Sequence, residues 1–159
     1  MPIATGARAP DFTLPRRDRG TFRLAEAKDA VLLAFYKTGC PTCRLAFPFV
    51  EKLHRAYDAF PVLGVSQDEA APTDEFCGAF GITFPMLLEA TPWLVSSSYG
   101  LIAVPTLVLV GKDGVVVDVM EGWQRTAINR LAAKVAERIG AKPAEVSTPA
   151  DGAPELKPG

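Results

Sequence analysis

The 159-residue chain is short of the features by which many proteins announce their partners. It has no basic cluster: the longest Lys/Arg run is Arg16-Arg17, and 17 basic against 18 acidic residues leave a formal charge of −1. Nucleic-acid and anionic-membrane partners need such clusters, so neither is expected. It has no long apolar run either. Leu101 to Val110 is the longest nearly apolar stretch and carries Pro105 and Thr106, whereas a spanning helix takes about 20 residues. Histidine occurs once and cysteine three times, too few for a disulfide framework. The opening Met1-Pro2-Ile3-Ala4-Thr5-Gly6 lacks the charged and apolar regions of a signal peptide. That predicts a cytoplasmic protein, or a periplasmic or extracytoplasmic one if a leader has been removed. No internal repeat is visible.

What is present describes a soluble globular chain, 48% hydrophobic and 22% charged, of a length that suits one domain. Its most informative segment is Cys40-Pro41-Thr42-Cys43, directly after the apolar run Val31 to Tyr36. That run has the length of a buried strand. Beyond it, Pro41 stands where a first-turn proline is tolerated, and Ala46, Phe49, Val50, Leu53 and Tyr57 recur at helical spacing. Pro48 lies inside this helix and is expected to kink it.

Around this unit the pattern predicts a mixed α/β domain over residues 1–140. Phe12 and Leu14, then Phe22 and Leu24, alternate on either side of Arg17-Asp18-Arg19-Gly20, as in a hairpin. Val62 to Ser66 is a second buried strand, parallel to the first through the intervening helix. Thr73 to Phe80 reads as a short helix closed by Gly81, and Trp93 to Tyr99 as another. Thr106–Val110 and Val115–Val119 flank a Gly111–Gly114 turn as an antiparallel hairpin. Ile128, Leu131, Ala132, Val135 and Ile139 mark a last helix ending near Gly140. Residues 141–159 hold four prolines and almost no large apolar groups, which predicts a mobile tail.

Two thiols at this spacing can open and close a disulfide. With Cys40 at the helix N-cap, Cys43 lies one turn later on the same side, within disulfide range. Free N–H groups and the positive helix end favour a thiolate at Cys40, while burial in the first turn keeps Cys43 a neutral thiol. Lys37 can add favourable charge if its side chain turns back. Cys40 is therefore the expected nucleophile and Cys43 the resolving thiol. A zinc site is the competing use of such a pair, but it needs four ligands. Only Cys77 and His54 remain, and His54 lies about 16 Å along the helix from Cys43. Arg44 follows the pair where c-type haem attachment needs His. No metal and no cofactor beyond the dithiol is expected. Cys77 reads as a buried inert thiol, His54 as a surface residue, Trp93 and Trp123 as packing, and Asp68 as a loop cap.

The segment Phe35 to Cys43 resembles the active site of thioredoxin-fold proteins. Four more segments are similar to the TlpA/ResA-like branch, which borders the peroxiredoxins (AhpC/TSA). They are Ala9-Pro10-Asp11-Phe12-Thr13-Leu14, Gly64 to Asp68, Phe80 to Leu88, and Tyr99 to Thr106 with the turn after it. The resemblance runs from about residue 7 to 139. It implies a central mixed sheet flanked by helices, an N-terminal β-hairpin and an inserted helix-strand segment. It also implies a thiol–disulfide oxidoreductase acting on disulfide-containing proteins, re-reduced by an upstream reductant and working as a monomer. By the same resemblance Val104-Pro105 is a cis peptide facing Cys40, and both residues contact substrate, with Gly39, Pro41 and Thr42 beside them.

The chain departs from the relatives at three places. Gly39 stands for the usual Trp, Ala34 for the buried Asp of thioredoxin, and Ala46 for the Glu of many TlpA/ResA-like proteins. The last two remove the usual proton acceptor of Cys43 and leave the work to a residue distant in sequence, with Glu89 or Glu121 as candidates, to water or to the substrate. Two other functions share part of the pattern: a peroxiredoxin-like peroxidase with Cys40 as peroxidatic cysteine, and a copper-handling module of Sco type. The first lacks the Arg that peroxiredoxins place near Val104-Pro105-Thr106. The second needs a wider cysteine spacing and a distant His.

Overall fold

A computed structural model of the chain describes residues 2–159. Its centre is a five-stranded sheet built on β3, Val31–Tyr36, whose six residues are all buried. A strand buried on both faces has no polar alternation, which is why this run is continuously apolar. β4 (Val62–Ser66) pairs with β3 in parallel, Leu32 opposite Val62 and Tyr36 opposite Ser66. β5 (Met86–Leu88) continues the parallel side beyond β4. On the other side β6 (Thr106–Val110) and β7 (Val116–Glu121) add antiparallel strands, giving the order β5-β4-β3-β6-β7.

Alternate residues of β3 feed two cores. Leu32, Ala34 and Tyr36 meet three helices: α1 (Pro41–Ala56), α2 (Ala70–Phe80) and α4 (Arg125–Arg138). Val31, Leu33 and Phe35 meet Tyr99, at the end of the short helix α3 (Leu94–Ser98), and the N-terminal segment. That segment contains the expected hairpin, β1 (Thr13–Pro15) antiparallel to β2 (Thr21–Arg23), with Leu14 opposite Phe22. A sheet flanked by helices, with a hairpin and an inserted α2–β5 segment, is the arrangement the resemblance implies.

Several boundaries differ from the sequence reading. α2 begins at Ala70, three residues before Thr73, because Pro72 lies in the first turn, where no helical N–H is required. It ends as expected, with Gly81 in the left-handed conformation at φ 64°. α1 runs through Pro48 without a break in the helix. His54 is half-buried rather than on the surface: its ring packs edge-on against Phe84 at 5.8 Å and its Nδ1 is enclosed.

The largest correction concerns residues 141–159. Composition predicts a mobile tail, but the segment is docked along α4 and the end of β7. Val146 and Ser147 are buried. Asn129 Oδ1 accepts from the Val146 and Ser147 amides at 2.8 and 3.1 Å, and Arg125 Nε donates to Ser147 Oγ at 3.1 Å. Buried Trp123 donates from Nε1 to the Pro154 carbonyl at 2.6 Å. Beyond these anchors β9 (Leu156–Lys157) pairs antiparallel with β8 (Trp123–Gln124). The anchoring is polar and directed at backbone groups, so hydrophobic composition carries no trace of it.

Candidate active site

The sheet delivers its reactive residues at the C-terminal end of β3. The chain leaves the strand at Tyr36, turns through Lys37-Thr38-Gly39 and enters α1 with Cys40 as N-cap and Pro41 as first helical residue. The loop is held from outside, because Thr38 N–H donates to Asp68 Oδ2 at 2.7 Å and Arg44 Nε donates to the Thr38 carbonyl at 3.0 Å. Asp68 thus fills the loop-satisfying role its position suggests.

The two thiols occupy different surroundings. Cys40 is partly exposed; its Sγ accepts from the Cys43 amide at 3.2 Å and donates to the Val104 carbonyl at 3.4 Å. Cys43 has no exposed surface and belongs to the core with Tyr36, Ala46 and Phe47. Burial pushes its thiol well above the ordinary range. The Cys40 side chain and the charge of Asp68 push the same way, against a backbone contact from Lys37. Both thiols are free, as is Cys77. Cys77 lies in α2 and its pKa is also raised, chiefly by burial.

Val104-Pro105 is a cis peptide, as the resemblance implies, and the Val104 carbonyl accepts from Cys40 Sγ. Around the pair Gly39 and Pro41 are exposed, Val104 is half-buried, and Pro105 and Thr42 are buried. Thr42 Oγ1 donates to the Pro158 carbonyl at 2.7 Å, a contact with no counterpart in the sequence reading. On the far side of Val104 a groove is lined by Lys37, Trp93, Ser97, Ile102 and Ala103. Lys37 Nζ sits 4.1 Å from the centre of the Trp93 ring and so faces this groove.

Neither candidate proton acceptor is among the groups that act on Cys43. Glu89 is buried but committed to Ser96, accepting from its amide at 2.8 Å and its hydroxyl at 2.6 Å. Glu121 ends β7, where its carbonyl accepts from Gln124 Nε2. The carboxylate whose charge reaches Cys43 is Asp68. Sequence reasoning noted Asp68 only as a cap; its place two residues beyond β4, parallel to the strand that leads into Cys40, is the signal that could have found it. Ala34 and Ala46 are fully buried, so nothing polar replaces the carboxylates that relatives carry there. Among the described residues no cluster of three or more His, Cys, Asp or Glu could hold a metal ion. No helix of the described chain is long and apolar enough to cross a membrane.

The chain is similar to known proteins in sequence and in fold. A model described as the AhpC/TSA family matches residues 5–119. The thioredoxin-like protein YneN of Bacillus subtilis is 31% identical over 126 residues, covering 76% of this chain and 73% of that one. The thiol-disulfide oxidoreductase ResA of Geobacillus thermodenitrificans is 29% identical over 124 residues, covering 76% and 71%. Among solved structures, the thioredoxin domain of a thiol-disulfide oxidoreductase from Bacteroides vulgatus superposes with a TM-score of 0.73 at 23% identity. It covers 83% of this chain and 97% of that one, and shows the thioredoxin fold.

Proposed function

The chain belongs to the AhpC/TSA family, and from that premise we propose that Cys40 attacks and Cys43 resolves in a thiol–disulfide oxidoreductase acting on protein disulfides. The observation that carries this reading is the unequal exposure of two adjacent thiols. Cys40 Sγ reaches the surface beside the Val104 carbonyl, while Cys43 is sealed behind it. Cys40, once deprotonated, attacks one sulfur of the substrate disulfide. The substrate S–S bond breaks, a mixed disulfide forms at Cys40, and one substrate sulfur leaves as thiolate. Cys43 then loses its proton and attacks Cys40 Sγ. The mixed disulfide breaks, the second substrate sulfur leaves, and the enzyme holds a Cys40–Cys43 disulfide. The substrate has gained the two electrons that the dithiol lost.

The electrons come from the dithiol itself, so the cycle needs no cofactor, only an upstream dithiol reductant to restore it. We assign Val104, Pro105, Gly39, Pro41 and Thr42 to the surface that meets the substrate peptide, because they surround Cys40. The monomer is the working unit, away from the membrane, and we place it in the cytoplasm as a reductant. A potential near the roughly −270 mV of thioredoxin supports that setting, and one near the roughly −120 mV of DsbA supports the extracytoplasmic alternative. The peroxidase alternative is less well supported. Cys40 Sγ bonds to a carbonyl and an amide, while Lys37 lies over Trp93 and Arg44 turns to the Thr38 carbonyl. Insulin reduction tests the assignment: wild type reduces it and Cys40→Ser does not. Equal rates in the two proteins would overturn it.

A further inference from the structure

Beside Cys40 a short segment of the chain itself runs in extended form. Arg125 N–H donates to the Glu155 carbonyl at 2.9 Å, and β9 then runs antiparallel to β8 along Leu156–Lys157. The next carbonyl, that of Pro158, takes the Thr42 hydroxyl at 2.7 Å. Gly159 comes to rest on Val104: a Cβ placed on it would collide with the Val104 carbonyl, the group that also faces Cys40 Sγ. The approach is backbone on backbone at the other strand too. Gly122, at φ 65°, has the Lys157 carbonyl 2.9 Å from where a Cβ would stand, so only glycine fits.

The segment is held in two unequal parts. Residues 146–153 are tied down by Asn129, Arg125 and the Arg125–Asp151 ion pair at 3.6 Å. Residues 154–159 are exposed and rest on backbone pairing, the Arg125–Glu155 ion pair at 3.9 Å, one indole hydrogen bond and the Thr42 contact. An anchored base with a lightly held stretch beyond it keeps that stretch at high effective concentration over the site and still lets it lift.

We propose that Leu156–Gly159 covers the substrate-facing surface beside Cys40 as an internal competitor, which an extended substrate peptide must displace. This rests on the reading of Cys40, Thr42 and Val104 as the substrate-facing surface. That surface accordingly takes a polypeptide in extended form, adding antiparallel to Trp123–Gln124. Its carbonyl accepts from Thr42, and a residue without a bulky side chain lies against Val104. The competitor withholds those contacts from weakly bound peptides.

The test uses the full chain with Lys157→Pro and Gly159→Leu together. The first removes an N–H from the paired strand, and the second forces a side chain against Val104. A labelled peptide copying residues 153–159 is expected to bind the variant about fivefold more tightly than wild type, the worth of about one net hydrogen bond. In insulin reduction KM falls by about the same factor with kcat unchanged. Equal peptide binding, or an unchanged KM, overturns the proposal. If neither protein reduces insulin while the difference in peptide binding holds, the oxidoreductase reading fails and the internal competitor stands.

Discussion

Two thiols one helical turn apart occupy opposite environments, and in the proposed mechanism the difference between them orders the chemistry. Cys40 stands at the edge of α1, where loop, helix end and Val104 leave part of its sulfur open. Cys43 projects from the same turn into a core of Tyr36, Ala46 and Phe47 and meets no solvent. The outer thiol can reach a macromolecular disulfide; the inner one can reach only the outer. On the proposed reading, sequence spacing makes a redox pair and burial assigns its roles. The same burial makes the second step the costly one, because Cys43 must ionise where a charge is poorly solvated.

The sharpest way to break this contrast is to remove the outer thiol. Cys40→Ser lowers insulin reduction by at least about a thousandfold, the scale on which nucleophile removal acts. A fall of only a few fold would mean that Cys43 attacks on its own. The pH dependence probes the inner thiol. Burial raises the Cys43 pKa, so release of the mixed disulfide, followed in single turnover, climbs by roughly tenfold per pH unit from pH 6 to 8. A plateau beginning near pH 7 would show an ionised Cys43 and contradict the burial. Stability runs the opposite way with pH. A thiol whose folded pKa is raised contributes fully below its unfolded pKa of about 8.5, and that contribution is lost as pH rises above it. Thermal midpoints at pH 7 and pH 10, compared between wild type and Cys43→Ala, read this loss.

Smaller changes sharpen the contrast. Ala46→Glu puts a carboxylate one turn beyond Cys43, where this chain has none. It is expected to speed mixed-disulfide release by about tenfold at pH 7. Burying the group lowers stability by about 2 kcal/mol. Stopped-flow release and denaturant unfolding measure the two, and a slower release would mean that Ala46 is not on the proton path. The smallest effect is expected of Asp68→Asn. It keeps an acceptor for the Thr38 amide, removes the negative charge acting on Cys43, and so lowers the Cys43 pKa. Release changes by less than about threefold, since Asp68 is the weakest of the causes that raise this pKa.

How much of this was legible in the sequence follows from where the signal resides. β3, β4 and β6 are continuous apolar runs and α1 and α4 are amphipathic, so their periodicity located them. The hairpin of β1 and β2 carries Phe12, Leu14, Phe22 and Leu24 in alternation, and it too could be read. The docked segment at the other end of the chain could not. Val146 is its one buried large apolar residue, and its hold comes from Trp123, Arg125 and Asn129 bonding to backbone and small polar groups. Such contacts depend on three-dimensional placement and leave no pattern in composition. At the site, the spacing of Cys40 and Cys43 beside a strand identified the chemistry. The Thr42 contact with Pro158 and the reach of Asp68 to Cys43 join residues 116 and 25 positions apart, which no local motif encodes.

The central claim, an attacking outer thiol and a resolving inner one, is tested most directly by trapping the intermediate. Variants retaining Cys40 alone or Cys43 alone are incubated with a disulfide-linked peptide pair and weighed intact by mass spectrometry. The Cys40-only protein accumulates a one-to-one mixed disulfide with the peptide, and the Cys43-only protein accumulates none. An adduct on the Cys43-only protein, or its absence from the Cys40-only protein, would contradict the assignment.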